Sequence, residues 1–234
     1  DFNSTISSKI EDIKKYIDFA YPNSNICKIN YKNSVSGMLN LENDIAPNFE
    51  NKNKTTREQA IKRGNAYHQA LKLLEFEKIK DKDSLHINLN VIKDFLEEGY
   101  YELLDEDILY RDVMLIKSVA KGLIQKEHEF IMKAKLSEVL EIKSEKEIII
   151  QGIIDLFSLG EENILIDYKY TSIKNDIMLL NHYKKQLDLY AKAIEEAYDI
   201  KLDNIYLLSL GDGRLIKYDR ELNLHNERHE KTKL

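Results

Sequence analysis

Two aspartates and a lysine lie close together in the second half of the chain. Residues 152–155 read Gly-Ile-Ile-Asp and residues 167–169 read Asp-Tyr-Lys, each in a run rich in isoleucine and leucine. The short segment between these runs predicts that they pair as an antiparallel hairpin. Alternate residues of a strand share a face, so Asp167 and Lys169 are expected on the same side. The pattern therefore predicts that Asp155, Asp167 and Lys169 converge at one point of a sheet.

This set of side chains has the chemistry needed to hydrolyse a phosphodiester. Mg²⁺ prefers carboxylate and carbonyl oxygens and keeps several of its waters. A bound cation lowers the pKa of a water molecule and neutralises charge that develops on a phosphate. A lysine adds a compact positive charge beside it. Either aspartate alone is more simply interpreted as a turn cap, and the lysine alone as a solvated edge residue, but the combination favours a metal-dependent hydrolase.

Three further motifs flank the hairpin, each on a predicted helix or strand. Residues 64–68 read Gly-Asn-Ala-Tyr-His, residues 127–130 read Glu-His-Glu-Phe, and residues 186–190 read Gln-Leu-Asp-Leu-Tyr. Together with the two aspartates and the lysine, and in this order, they resemble the RecB/AddA branch of the PD-(D/E)XK nuclease superfamily. Within that branch, the runs Gln-Gly-Ile-Ile-Asp and Tyr-Lys-Lys-Gln-Leu are most similar to AddA-type nuclease domains.

The resemblance implies a metal site with Mg²⁺ as cofactor, or Mn²⁺ in its place. Gly64 leaves room for a close approach of its helix, one turn before the histidine. The implied ligands are the side chains of His68, Asp155 and Asp167 and the backbone carbonyl of Tyr168. Without the other motifs, His68 would be interpreted as an ordinary core histidine.

The same resemblance implies a catalytic set formed by Asp155, Asp167, Lys169, Gln186 and Tyr190. Gln186 and Tyr190 are spaced to lie on one helical face, where they would position the lysine, the water or the DNA strand. The pattern departs from the family where Tyr170, in place of the usual threonine, follows Asp-Tyr-Lys. It departs again at Glu129, where proline is common. Glu127 receives no role from the resemblance.

Three lysines flank the predicted site and are expected to contact DNA phosphates: Lys174, Lys184 and Lys185. A cluster of charges is also typical of a solvated surface. The implied nucleic-acid partner is DNA, both double-strand ends and single strands. The net charge of -6 counts mildly against DNA binding, but carboxylates that hold a cation are anionic until it binds.

Composition narrows the class of protein. The chain has 234 residues, 43% hydrophobic and 32% charged, as expected for one large globular domain or a domain with an insertion. Its single cysteine, Cys27, excludes the four-cysteine iron–sulfur cluster found in some members of this branch and favours the cytoplasm. The sequence contains no apolar run of about 18 residues, so no transmembrane helix is expected.

The predicted fold class is α/β, a restriction-endonuclease-like core with a central mixed β-sheet flanked by helices. The helix with Gly64 and His68 is expected to reach about Phe76, and the second half reads β-β-β-α-β-β. The predicted division is an N-terminal helix and connecting segment at 1–54, a nuclease domain at 55–220 with a helical insertion at about 80–124, and a polar tail at 221–234.

The resemblance implies the nuclease part of a helicase–nuclease that processes DNA ends for recombinational repair. The chain starts with Asp and has no Walker motif, so an ATP-binding helicase is expected upstream on the same polypeptide. An AddB-like protein is the implied partner, and no membrane partner is expected. Two alternatives stay open: a stand-alone nuclease of the same superfamily, and an inactive nuclease fold kept for docking or DNA binding.

Overall fold

A computed structural model describes residues 32–35, 37, 54–140 and 144–220. The described residues from 33 to 220 belong to one compact unit. The predicted N-terminal helix, most of the connecting segment and the polar tail lie outside the described residues. The described residues therefore lie mainly in the predicted nuclease domain.

The described part of the chain contains a six-stranded mixed sheet with helices around it. The strands are β1 (Lys32–Ser34), β2 (Leu123–Lys135), β3 (Glu147–Leu159), β4 (Ile164–Tyr170), β5 (Asn204–Leu210) and β6 (Arg214–Tyr218). The α-helices whose two ends both lie within the described residues are α1 (Lys54–Leu73), α2 (Lys82–Ile92), α3 (Glu106–Val119), the short α4 (Leu136–Val139) and α5 (Asp176–Tyr198). None of the described helices combines the length and apolar character that a membrane span needs.

The sheet combines antiparallel and parallel pairing. The strand order is β1-β3-β4-β5-β6, and β2 also pairs with β3. β2 and β3 form a long antiparallel ribbon, from Leu123 opposite Leu159 to Lys135 opposite Glu147. β4 and β5 are parallel, and α5 makes the crossover that parallel neighbours require. The mixed sheet flanked by helices confirms the predicted fold class.

An apolar cluster joins α1, α2 and α3 to β3, β4 and β5. Its buried members include Tyr67, Leu71, Leu74, Leu85, Leu89, Leu109, Val113, Ile116, Leu156, Ile166 and Leu208. Each fully buried leucine or isoleucine of this kind contributes about 1.5–3 kcal/mol relative to an exposed one. The cluster therefore fixes α1 against the sheet, and with it every side chain that α1 carries toward the site.

Both α-helices of the segment between α1 and β2 are capped at their N-termini. Asp81 begins α2 with a capping box in which its side chain accepts from the Ser84 N–H, and Asp105 caps α3 by accepting from two backbone N–H groups. The α-helices of this segment lie between Lys82 and Val119, and β2 begins at Leu123. The predicted bounds of the helical insertion were about 80 and 124. α1 ends at Leu73 rather than near Phe76, which instead starts a separate 3-10 turn.

Helix α5 carries the Gln-x-x-x-Tyr motif across the sheet. The Asn175 side chain accepts from the Met178 N–H at 2.9 Å and caps its start. Asp199 ends it in a left-handed conformation with φ 52°. Its buried face includes Gln186, Leu187, Tyr190, Ala191 and Ile194, so both polar residues of the motif point inward.

Candidate active site

The two aspartates of the hairpin lie where β3 and β4 separate. The β3–β4 ladder covers only a few residues and ends at Leu156 opposite Ile166. The same register continued by one position places Asp155 opposite Asp167. Asp155 Oδ2 accepts a hydrogen bond of 2.6 Å from the backbone N–H of Tyr168. The Asp155 carboxylate thus satisfies a backbone group of β4 at the point where the two strands diverge, and both aspartates are buried.

His68 reaches Asp155 from helix α1. Its Nδ1 lies 3.3 Å from Asp155 Oδ1, and its side chain is 30% exposed. The His68 ring also meets the Tyr168 ring in an edge contact, with centroids 5.7 Å apart. At Gly64, a Cβ would lie 3.1 Å from Tyr170 Cβ. Glycine at that position therefore lets α1 approach β4 closely enough for the histidine to reach the aspartate.

Lys169 pairs with the other aspartate. Its Nζ lies 2.6 Å from Asp167 Oδ2, and its side chain is 17% exposed. The ammonium also stands over the ring of Tyr183, 5.0 Å from the centroid. The motif comparison gave no role to Tyr183. The spacing could have indicated it, because Tyr183 precedes Gln186 by one helical turn on α5 and so shares its face.

Gln186 and Tyr190 complete the surroundings of Asp167. Gln186 Nε2 lies 3.3 Å from Asp167 Oδ1, to which it donates, and 2.9 Å from the Tyr190 hydroxyl oxygen. The Tyr190 ring packs edge-on against Phe130, with centroids 5.6 Å apart. A Cβ at Gly152 would lie 2.7 Å from the Phe130 ring and 3.3 Å from the Tyr190 ring. Glycine in the Gly-x-x-Asp motif therefore leaves room for these two rings.

The two aspartates have opposite pKa shifts. Burial would raise the pKa of Asp155, but His68, Lys169 and the Tyr168 N–H together hold it below its ordinary value. Burial raises the pKa of Asp167 to about 6, because Lys169 only partly offsets the loss of water and the Asp155 charge raises it further. Two carboxylates in adjacent positions are thus separated in acidity by their different partners.

The two bases of the site keep their protons more tightly than usual. Burial would lower the pKa of His68, but the Asp155 carboxylate raises it above the ordinary value. Burial would likewise lower the pKa of Lys169, and Asp167 and Asp155 raise it above its usual range. Lys169 is therefore a firmly charged ammonium.

A third carboxylate, that of Glu127, joins His68 and Asp155. Each of these three residues offers one ligand atom, and the three atoms lie within 4.8 Å of one another. Ligand atoms that each lie about 2.1–2.5 Å from one divalent cation are up to about 4–5 Å from one another. A nitrogen and two carboxylate oxygens at this spacing fit a divalent cation. Asp167, also predicted as a ligand, lies beside this group but is engaged by Lys169 and Gln186.

The three lysines predicted to contact DNA have different surroundings. Lys174 lies between β4 and α5, is 73% exposed at its side chain and pairs with Asp212 Oδ2 at 2.9 Å. Lys184 and Lys185 are half-buried on α5, directly before Gln186. Lys184 and Lys185 thus directly precede a site residue in sequence, and Lys174 pairs with the turn between β5 and β6.

Comparisons with known proteins agree on the class of domain. Residues 39–228 match the sequence family described as the PD-(D/E)XK nuclease superfamily. The chain is 28% identical over 235 residues to the AddA subunit of the ATP-dependent helicase/nuclease of Syntrophomonas wolfei, covering 90% of this chain and 19% of that protein. The protein of the same name from Streptococcus pyogenes serotype M5 is 28% identical over 179 residues, covering 74% of this chain and 14% of that protein.

The chain therefore spans at most about a fifth of the length of these curated relatives, 19% and 14% respectively. Among solved structures, the crystal structure of SSO0001 covers 93% of this chain and 78% of its own chain, with 15% sequence identity and a TM-score of 0.34. The family assignment rests on the sequence matches.

Proposed function

The chain belongs to the PD-(D/E)XK nuclease superfamily, and we propose that it is a divalent-metal-dependent deoxyribonuclease domain that hydrolyses phosphodiester bonds with water. The observation that carries this proposal is the convergence of Asp155, Asp167, Lys169 and His68 at the point where β3 and β4 separate. Carboxylates beside a charged lysine and a histidine are the groups that metal-assisted phosphodiester hydrolysis needs.

The cation is proposed to be Mg²⁺, with Mn²⁺ as an alternative. His68, Asp155, Asp167 and the backbone carbonyl of Tyr168 would hold it. When bound, the cation supplies a water of lowered pKa and neutralises negative charge on the scissile phosphate. The burial of Asp155 and Asp167 supports this assignment, because two adjacent negative charges removed from water are costly without compensating positive charge.

Lys169 is proposed to act on the charge that develops as water attacks phosphorus. Its ammonium is fixed by Asp167 and by the ring of Tyr183, so it needs little reorganisation during the reaction. Gln186 and Tyr190 are proposed to orient Asp167, because Gln186 donates to the Asp167 carboxylate and to the Tyr190 hydroxyl. The water oxygen forms the new bond to phosphorus and releases its proton to solvent. The bond between phosphorus and the leaving oxygen breaks, and that oxygen takes a proton from solvent.

The larger setting is proposed from the relatives. They are named as AddA subunits of an ATP-dependent helicase/nuclease, and this chain corresponds to about a fifth of the first one, 19%. We place the domain as an exonuclease in a cytoplasmic helicase–nuclease that processes double-strand DNA ends for recombinational repair. ATP would be used by a helicase on the same polypeptide, and an AddB-like protein would be the partner.

A digestion assay tests the enzymatic proposal. The purified chain is incubated with end-labelled linear duplex, single-stranded and closed circular DNA, with Mg²⁺, with Mn²⁺ or with EDTA. We expect degradation of the linear substrates with metal, none in EDTA, and none by an Asp167→Asn variant. Resistance of closed circular DNA distinguishes an exonuclease from an endonuclease. Binding of DNA without cleavage under every metal condition would instead support the inactive docking fold.

A further inference from the structure

Arg63 on α1 carries a charge that has no partner among the described residues. Its side chain is half-buried, and its Nε is buried without a hydrogen-bond partner. Within the described part of the chain it also forms no ion pair. Arg111, Arg214 and Arg220, in contrast, each pair with a carboxylate. Because an N–H group removed from water without a partner is costly, Arg63 is suited to bind an anion from outside the protein.

Arg63 lies on the part of α1 that borders the carboxyl end of β4. At the next residue, Gly64, a Cβ would lie 3.1 Å from Tyr170 Cβ. One turn after Arg63, the Tyr67 ring lies 5.8 Å from the Tyr170 ring, centroid to centroid. Tyr170 directly follows Lys169 in β4. In open α/β sheets, ligands bind outside the carboxyl ends of the strands, so Arg63 lies at the edge where a substrate would enter this site.

The Arg63 charge acts on the neighbouring Tyr67 hydroxyl. Burial raises the pKa of Tyr67, and a hydrogen bond from the Asp105 N–H and the Arg63 charge oppose that rise. The Asp105 N–H donates to the Tyr67 hydroxyl at 3.0 Å, and the Asp105 side chain caps α3 by accepting from two backbone N–H groups. Tyr67 thus stays a neutral phenol and Asp105 has other partners, so neither side chain neutralises the guanidinium.

The spacing between Arg63 and the proposed cation ligand His68 suits a nucleic-acid strand. The two residues are five positions apart on α1, which is about 7.5 Å along the helix axis. Neighbouring phosphates of one DNA strand have a comparable separation. A guanidinium binds a phosphate through two parallel hydrogen bonds, a geometry that a lysine cannot provide. A phosphate at Arg63 would therefore belong to a strand whose next phosphate lies at the cation.

We infer that Arg63 binds the DNA phosphate next to the scissile one and so fixes the position of the strand along α1. This inference rests on the proposed function, because it names a substrate contact of that site. Arg63 is a substrate-binding residue in this assignment, separate from the side chains that hold the cation. It adds a phosphate contact on α1 to the lysines expected to contact DNA from α5.

DNA binding by Arg63→Gln tests the inference, with Lys62→Gln as the matched control. Lys62 is the preceding residue of α1 and is exposed, so the control removes an equal charge. Affinity for a labelled single-stranded oligonucleotide is measured in Ca²⁺ at several salt concentrations. We expect Arg63→Gln to bind on the order of tenfold more weakly, with the slope of log affinity against log salt reduced by about 0.7. Lys62→Gln should bind like the wild type.

Oligonucleotides that carry one neutral methylphosphonate identify the phosphate that Arg63 contacts. Cleavage at each bond is followed in Mn²⁺ under conditions that report kcat/KM. We expect a methylphosphonate next to the scissile phosphate, on one side, to lower kcat/KM for the wild type on the order of tenfold. The same substitution should cause no further loss in Arg63→Gln, as a double-mutant cycle requires of two groups in contact. Additive losses at every position would overturn the inference and leave the proposed function intact.

Stability without DNA distinguishes this role from a structural one. Arg63→Met keeps much of the apolar stem and removes the buried unpartnered N–H, so it should unfold at a denaturant concentration no lower than wild type. Loss of stability in this variant, or wild-type DNA affinity in folded Arg63→Gln, would overturn the inference. Failure of the wild type to cleave DNA with any metal would instead overturn the proposed function, and the salt slopes would still decide the role of Arg63.

Discussion

The candidate active site consists of two halves that differ in the charged side chains around their carboxylates. In the lysine half, formed by Asp167, Lys169, Gln186 and Tyr190, the carboxylate has an internal cation and a buried amide as partners. In the ligand half, formed by His68, Glu127 and Asp155, two carboxylates lie around one imidazole. The first half has a lysine of the protein as its cation, whereas the second half is the proposed place of a cation from solution. This difference predicts that metal binding and bond cleavage respond separately to mutation.

The largest expected effect is that of Asp155→Asn, which removes the carboxylate shared by His68 and the Tyr168 N–H. Magnesium is held by few protein ligands, so each contributes a large share of its affinity. We expect both Mn²⁺ binding and cleavage to be lost, the latter by on the order of 10³-fold or more. Calorimetry and digestion of linear DNA measure the two. Cleavage at the wild-type rate would show that Asp155 is not part of the active site.

Lys169→Ala should separate the two halves. The lysine stabilises charge that arises only during reaction, so cleavage should fall by on the order of 10²–10³-fold. Metal binding should persist or become tighter, because a neighbouring positive charge is removed and Asp167 is freed. The same titration and digestion assays are applied to this variant. Equal loss of metal affinity would contradict the proposed division, and full activity would exclude Lys169 as a catalytic residue.

A smaller effect is expected at Tyr183, whose ring lies beside the Lys169 ammonium. Tyr183→Phe keeps the aromatic face and should retain nearly wild-type kcat. Tyr183→Leu removes a cation–π contact worth about 0.5–2 kcal/mol, so kcat should fall by about 2- to 30-fold with little change in KM. Steady-state cleavage kinetics measure both parameters. Equal losses in the two variants would show that the ring acts through packing alone.

The lysines before Gln186 should affect DNA affinity more than cleavage at saturation. If Lys184 and Lys185 contact phosphates, changing both to Gln should reduce the slope of log affinity against log salt by about 0.7–0.9 for each lost contact. Lys174→Gln is measured in parallel, because Lys174 is the third lysine expected to contact phosphates and lies outside α5. DNA binding is measured in Ca²⁺ at several salt concentrations. An unchanged slope in both the double variant and Lys174→Gln would remove these lysines from the DNA-binding surface.

The smallest effect concerns the strained backbone of the ligand half. Glu127→Gly and Glu127→Ala both remove the carboxylate, but only glycine adopts φ near 50° without cost. We expect the glycine variant to be more stable than the alanine variant by about 1 kcal/mol, the reverse of the usual order within a strand. Chemical denaturation in EDTA provides the comparison. The usual order would show that β2 relaxes to a regular conformation when the carboxylate is removed.

Much of the architecture could be predicted from the sequence because it follows from local patterns. The short segment between residues 155 and 167 predicted the antiparallel hairpin, and the strand alternation predicted Asp167 beside Lys169; both are found. The order of strands and helix in the second half also agrees, apart from the short helix α4. These features depend on residues close in sequence. The order of the motifs additionally predicted that His68 lies beside the two aspartates.

Other features depend on contacts distant in sequence and could not be predicted. A positive φ at Glu127 leaves no trace in residue type, since glutamate gives no indication of a left-handed position within a strand. The partner of Lys174 comes from the turn between β5 and β6, far along the chain. Lys126 of β2 donates to the carbonyl oxygens of Leu71 and Leu74, where α1 ends, although it lies more than 50 residues further along the chain.

The bond between Lys126 and the end of α1 has a mechanical consequence. It fastens helix and strand to each other directly beside Glu127, while its ammonium rests on the ring of Phe76, 4.4 Å from the centroid. His68 and Glu127 are thus mounted on two elements that cannot slide independently. A displacement of the sheet would therefore move both side chains together. The spacing between His68 and Glu127 would then be preserved, and the β2–β3 ladder would carry Asp155 along with them.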